Sequence, residues 1–198
     1  FLALAGLVIV YLYKRFGGKA SKGMGLIFDV GHAREEKIPL VLVPLIMLTT
    51  WMSHLFGGSV GREGVAVQIG ATLSHRFARH IKIPDASRIF LMTGMAAGFA
   101  GLFQTPLAAT FFALEVLTVG ELQLMALYPA LIASIVASFT SHALGLEKFA
   151  VPLRETLSWT PETLIKVALL GLAFGLAGKL FAVSLSWLKK TVAQVLPN

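Results

Sequence analysis

The residues of this chain best suited to chemistry lie in Gly61-Arg62-Glu63-Gly64, directly ahead of the apolar stretch Val65-Ala66-Val67-Gln68-Ile69-Gly70. Two glycines flank a charged pair at the start of a short apolar helix. Glycine lets backbone N–H groups approach an ion without Cβ obstruction, and the first amides of a helix lack intrahelical partners and sit at the positive end of its dipole. Gly61, Arg62, Gly64 and Val65 are therefore candidate anion-binding residues. Glu63, itself an anion, competes for the same donors, and protonation would release it. The same spacing also suits a plainer role, a helix-start carboxylate stabilised by the dipole at a membrane surface. On spacing alone both readings stand, although ionisable groups inside a membrane are usually functional.

Gly23-Met24-Gly25, ahead of Leu26-Ile27-Phe28, repeats the pattern of glycines before a short apolar segment. Taken alone it reads as an ordinary flexible loop. Glu115 closes the apolar run 108–114 and is either a candidate proton relay or an interfacial carboxylate. Small residues at Gly94 and Gly98, at Ala97 and Gly101, and at Gly171, Gly175 and Gly178 suit close helix packing rather than ligand binding. The five histidines show no metal-ligand spacing such as H-E-x-x-H, and no G-x-S-x-G, P-loop or dinucleotide fingerprint occurs, so no metal, cofactor or enzyme activity is expected. With no cysteine there is no disulfide, thiolate metal site or Cys nucleophile.

The elements that must position these groups are apolar. Of 198 residues, 56% are hydrophobic and 14% charged, against about 25% charged in soluble domains; the chain reads as an all-α integral membrane protein. Uncharged runs at 38–61, 89–114 and 122–146 are long enough to span, whereas the short apolar pieces 1–13, 25–30 and 64–75 are not. Gln104-Thr105-Pro106 should split the run at 89–114 into two helices, with Thr105 as cap and Pro106 at the first helical position. Pro84-Asp85-Ala86-Ser87 supplies another break and cap, and Thr160-Pro161-Glu162 starts a last helix ending near Val195. Half-length helices among full spans suggest discontinuous helices whose N-termini attract an anion at mid-membrane. The formal net charge of +7 fits cytoplasmic loops and not nucleic-acid binding. Lys14, Arg15, Lys19 and Lys22, and Arg76, Arg79, Lys82 and Arg88, form two basic loops expected on the cytoplasmic side of a cell membrane. The chain opens at Phe1 within an apolar run, so it is expected to be part of a longer protein.

Gly61-Arg62-Glu63-Gly64 with Val67-Gln68-Ile69-Gly70 resembles the G-R-E-G signature of the CLC family of chloride channels and anion/proton antiporters. Met95–Glu115, with Gln104-Thr105-Pro106-Leu107-Ala108 and Phe112-Ala113-Leu114-Glu115, resembles the family's next two helices in order and spacing, and Gly171–Gly178 resembles the helix opening its second half. The resemblance implies a bundle of full-length, tilted and re-entrant helices forming half of an inverted-repeat architecture. Residues 1–146 would be most of the first repeat, 147–160 a polar linker and 161–198 the first helix of the second. It implies a homodimer with one anion path per subunit, embedded in lipid, and makes Glu63 the protonatable gate. The family's first anion-binding loop, roughly G-S-G-I-P, aligns with Gly23-Met24-Gly25-Leu26-Ile27. Met24 stands at the anion-binding Ser, Ile27 at the Pro, and Val65 at the Pro that commonly follows G-R-E-G. These departures resemble the fluoride-exporting CLC-F clade. The internal proton-transfer Glu of chloride antiporters aligns with Val116, with Glu115 beside it. The second anion-binding loop and the inner-gate Tyr would lie in the missing second half of the chain.

The function so implied is fluoride export coupled to proton movement, with chloride transport as the alternative in the same class. Met24 argues for fluoride, since a thioether cannot donate the hydrogen bond that a Ser hydroxyl offers chloride. An intramembrane enzyme would need a nucleophile–base pair, and none is visible; a non-transporting assembly subunit is the remaining alternative.

Overall fold

The structure, a computed structural model, describes residues 1–35, 37–118, 120–146 and 158–195. Every regular element among them is helical: α1 Leu2–Leu12, α2 Met24–Gly31, α3 Leu42–Leu55, α4 Glu63–Ala78, α5 Ala86–Phe103, α6 Pro106–Glu115, α7 Leu127–Ala143 and α8 Pro161–Val195. Two compact units result, Phe1–Phe149 and Ala150–Asn198. Most of the linker expected at 147–160 lies outside the described residues. α5, α7 with its 3₁₀ lead from Leu124, and α8 are long and apolar enough to cross a membrane; α3 and α6 are shorter apolar helices.

Several boundaries differ from the sequence expectation, for local reasons. The uncharged run 38–61 yields only the 14 residues of α3. Pro44 cannot donate to a preceding turn, so it sits in the first turn of the helix and limits how far back that helix can extend. At the other end Gly57 adopts φ +82°, and Gly58 N–H reaches Ser53 C=O at 2.7 Å in a Schellman closure. The span expected there is therefore a short helix with flanking loops. The segment expected at 64–75 is longer, running from Glu63 through Arg76 to Ala78, because the basic last turn suits the helix C-terminus. The break at Gln104 is present, with Gln104 at φ +54° and Pro106 first in α6, but Thr105 makes no side-chain capping bond. At α5 the cap position is held by Asp85, at φ +54° and also without a capping bond. Thr160 does cap α8, accepting from Thr163 N–H at 3.3 Å.

The core of the first unit is built where α2, α3, α4, α5 and α6 converge. Leu26, Ile27, Leu42, Val67, Ala71, Leu91, Met92, Met95, Ala113 and Leu114 are buried together. α4 and α5 touch backbone to backbone. A Cβ at Gly70 would lie 2.1 Å from Gly94 O, and one at Gly98 would lie 2.2 Å from Ala66 O. The small face expected of Gly94 and Gly98 thus serves packing. α7 is tied to its neighbours by polar contacts: Ser141 Oγ donates to Gly101 O at 2.6 Å, and Ser134 Oγ meets Thr110 Oγ1 at 2.9 Å and donates to Pro106 O at 3.0 Å. The two of these hydroxyls that are buried, on Thr110 and Ser134, are satisfied, as burial requires.

α2, only eight residues long, is held by ion pairs. Lys19 meets Glu35 at 2.5 Å, and Lys22 meets Asp29 at 3.0 Å and Glu35 at 3.5 Å. The hydrogen bond from Lys19 holds the Glu35 carboxyl below the usual carboxylate range, and the hydrogen bond to Asp29 raises Lys22 above its ordinary value. All four groups are at least partly solvated, so the network orients α2 more than it stabilises the fold.

Candidate functional site

Both glycine-rich motifs begin helices. Gly23 takes φ +55° at the N-cap of α2, a conformation that strains any residue with a side chain, and Met24 and Gly25 are the first two helical residues. No side chain caps this end. The Met24 and Gly25 N–H groups are among those a helix leaves without intrahelical partners. Arg62 caps α4, Glu63 is its first residue, and Gly64 and Val65 follow; this end also lacks a side-chain cap. Two uncapped helix starts thus present amide donors.

The fold brings these starts together on one side chain. Gln68 lies one turn into α4, beyond Gly64, and is only 7% exposed. A Cβ placed on Gly23 would lie 3.6 Å from Gln68 Oε1, and one placed on Gly64 would lie 3.7 Å from Nε2. The Gln68 amide therefore spans from the start of α4 to the start of α2, within ordinary contact distance of both glycines. Its Oε1 is fully buried and has no hydrogen-bond partner among the described residues. An unmet buried carbonyl costs about 1–3 kcal/mol, so such a group ordinarily has a functional or solvent partner. Gln68 was not among the residues expected to act. Its signal was a polar residue one turn after Gly64 in an otherwise apolar segment. What could not be read along the chain was that α2 would pack against that turn.

Glu63 is exposed, and its carboxylate folds back over Gly61: a Cβ there would lie 2.5 Å from Oε2. A side chain at Gly61 would displace that carboxylate. Arg62 and Val65, with Trp51 and His54 of α3, line a cavity beside this helix start. Met24 and Val65 are partly buried and pack against the core. Glu115 is the last residue of α6, exposed and without an ion pair among the described residues. It is not one of the groups that meet at Gln68. No cluster of three potential metal ligands occurs among the described residues.

This geometry offers an anion two sets of helix-start amides and a side-chain amide, with the Glu63 carboxylate over Gly61 ahead of the second set. The family model for voltage gated chloride channels matches residues 5–197. The crystal structure of a CLC-type fluoride/proton antiporter superposes on the whole chain with a TM-score of 0.93 at 47% identity, over 50% of that protein's length. A chloride/fluoride channel protein of Pseudomonas syringae pv. tomato is 38% identical over 91% of this chain and 40% of its own length. A voltage-gated ClC-type chloride channel ClcB of Yersinia pseudotuberculosis is 33% identical over 90% of this chain and 44% of its own. The chain thus spans half or less of the length of these relatives.

Proposed function

Because the chain belongs to the CLC family of voltage-gated chloride channels, whose members are multi-pass integral membrane proteins, we propose that it serves to move fluoride out of the cell in exchange for protons. The observation that carries this reading is the meeting of two glycine-rich helix starts on Gln68, with Glu63 the first residue of one of them. Fluoride would be held by the free amides of Met24 and Gly25 and of Gly64 and Val65, with the Gln68 amide between the two sets; Gly23, whose own N–H donates to Ala20 O at 3.0 Å, and Gly61 shape the two approaches. Arg62 adds positive potential. The Glu63 carboxylate competes with the anion for these donors. Once protonated it can leave them without losing charge–dipole stabilisation, so proton uptake by Glu63 opens the donors to the anion.

Of the relatives described above, one is named a fluoride/proton antiporter and another a chloride/fluoride channel protein, and Met24 offers no hydroxyl donor. These points favour fluoride over chloride. Chloride transport is the second reading, supported by the chloride-channel names of other relatives. Glu115 is kept as a candidate proton relay. The remaining partners proposed are a second copy of the protein, the lipid bilayer, and the second half of the same architecture. No step requires a cofactor, metal or enzymatic chemistry.

The test is simultaneous recording of fluoride and pH in liposomes holding the full-length protein. Wild type should move protons against fluoride. Glu63→Gln, a neutral mimic that carries no proton, should abolish coupling. Fluoride-driven proton movement at the wild-type rate in that variant would leave Glu63 as a dipole-stabilising residue only.

A further inference from the structure

The two basic loops, widely separated in sequence, converge on one cavity. It measures about 650 Å³ and lies where the turns after α1, the entry to α3 and the end of α4 meet. Four cationic side chains line it, Lys19, Lys37, Arg76 and Arg79, and no carboxylate does among the described residues. Lys19 is already paired with Glu35. Lys37, Arg76 and Arg79 have no ion pair among the described residues. Arg76 and Arg79 stand three residues apart, and so share one side of the last turn of α4. The rest of the wall is apolar and includes exposed Phe16 and Leu40.

We propose that this cavity binds the headgroup of an anionic phospholipid, with the Arg76 and Arg79 guanidiniums on the phosphate and an acyl chain along Phe16 and Leu40. Charge complementarity selects the ligand. Among the described residues, three cations without an ion pair and no lining acid call for an anion, and paired guanidiniums suit a phosphate. The cavity is far larger than a halide needs. Its apolar wall suits an amphiphile better than a free anion, and basic pockets among membrane helices are known seats for such headgroups. The site is separate from the helix starts at Gln68, so it stands or falls independently of the transport reading.

The experiment uses purified full-length protein in neutral detergent, titrated with phosphatidylglycerol, phosphatidylcholine or inorganic phosphate, with bound lipid counted by native mass spectrometry. Wild type should bind phosphatidylglycerol at least about tenfold tighter than phosphatidylcholine. Arg79→Gln should weaken phosphatidylglycerol binding about fivefold and Arg76→Gln/Arg79→Gln about twenty-five-fold, the effect of one and two basic residues at an anionic surface. Lys82→Gln, in the same loop but outside the cavity, should change it less than about twofold. Equal effects of Lys82→Gln and Arg79→Gln would mean diffuse surface attraction and overturn the site. So would displacement of the lipid by equimolar inorganic phosphate, or an absence of headgroup preference, as expected if the remainder of the protein fills the cavity. Should the double variant not fold, Lys37→Gln, at the exposed rim, replaces it with the same fivefold expectation.

Discussion

The Gln68 side chain carries the most information for its size. It is a neutral amide, buried, with its oxygen unmet, between two helix N-termini. Gln68→Met keeps the length of the side chain and removes its donor and acceptor. The variant should fold with equal or slightly higher stability, because it removes an unmet polar group. Fluoride flux should fall about tenfold or more, the worth of one hydrogen bond to a charged group. Unchanged flux in liposomes would make Gln68 a packing residue. Met24 poses the complementary question. Its side chain packs against the core, so Met24→Ser should cost about 1 kcal/mol in stability while restoring a hydroxyl at the start of α2. The expected result is weaker discrimination against chloride, measured as the ratio of fluoride to chloride efflux. A ratio that does not move would remove the main local support for fluoride.

Short helices can hold a site only if something rigid holds them, and here that is the contact between α4 and α5. The carbonyls of Ala66 and Gly70 lie where any Cβ on Gly98 or Gly94 would stand. Those atoms are backbone and cannot turn aside, so the helices would have to part. Gly98→Ala should therefore destabilise by about 3 kcal/mol, the upper range of an overpacked interior, and lower the melting temperature of the full-length protein in detergent. Gly101→Ala is the control in the same helix. Its Cβ would make ordinary contact with Ala137 Cβ at 3.9 Å, and alanine is the better helix former by about 1 kcal/mol, so stability should hold or rise. Equal losses from both substitutions would show that glycine is needed in α5 for some reason other than this contact.

At the scale of the molecule, the convergence of the loops around Lys19 and Arg79 on one cavity puts them at the same end of the first unit. With the excess of Lys and Arg in both, that end is expected to face the cytoplasm. Single cysteines at Ser21 and Arg79, in a chain that has none of its own, should label together and from the cytoplasmic side in sealed vesicles. Labelling of one from each side would contradict the fold itself, whereas labelling of both from outside would reverse only the orientation.

The all-helical class, the starts of α4 and α8 and the break before α6 were legible along the chain, because each rests on local chemistry. Low charge density demands lipid, Pro106 cannot continue a helix but can begin one, and Thr160 offers a hydroxyl to its own first turn. The candidate carboxylate Glu63 and the glycine pattern at Gly23–Gly25 were legible for the same reason. Lengths were less so: an uncharged run does not distinguish helix from loop, and α3 ends where Gly57 takes a positive φ that only its surroundings select. The pairing of α2 with α4, the burial of Gln68 and the gathering of Lys19, Arg76 and Arg79 around one cavity depend on contacts between residues far apart in sequence. They arise only when the apolar faces of α2, α4 and α5 pack together, and no periodicity within any one of those segments encodes its neighbour.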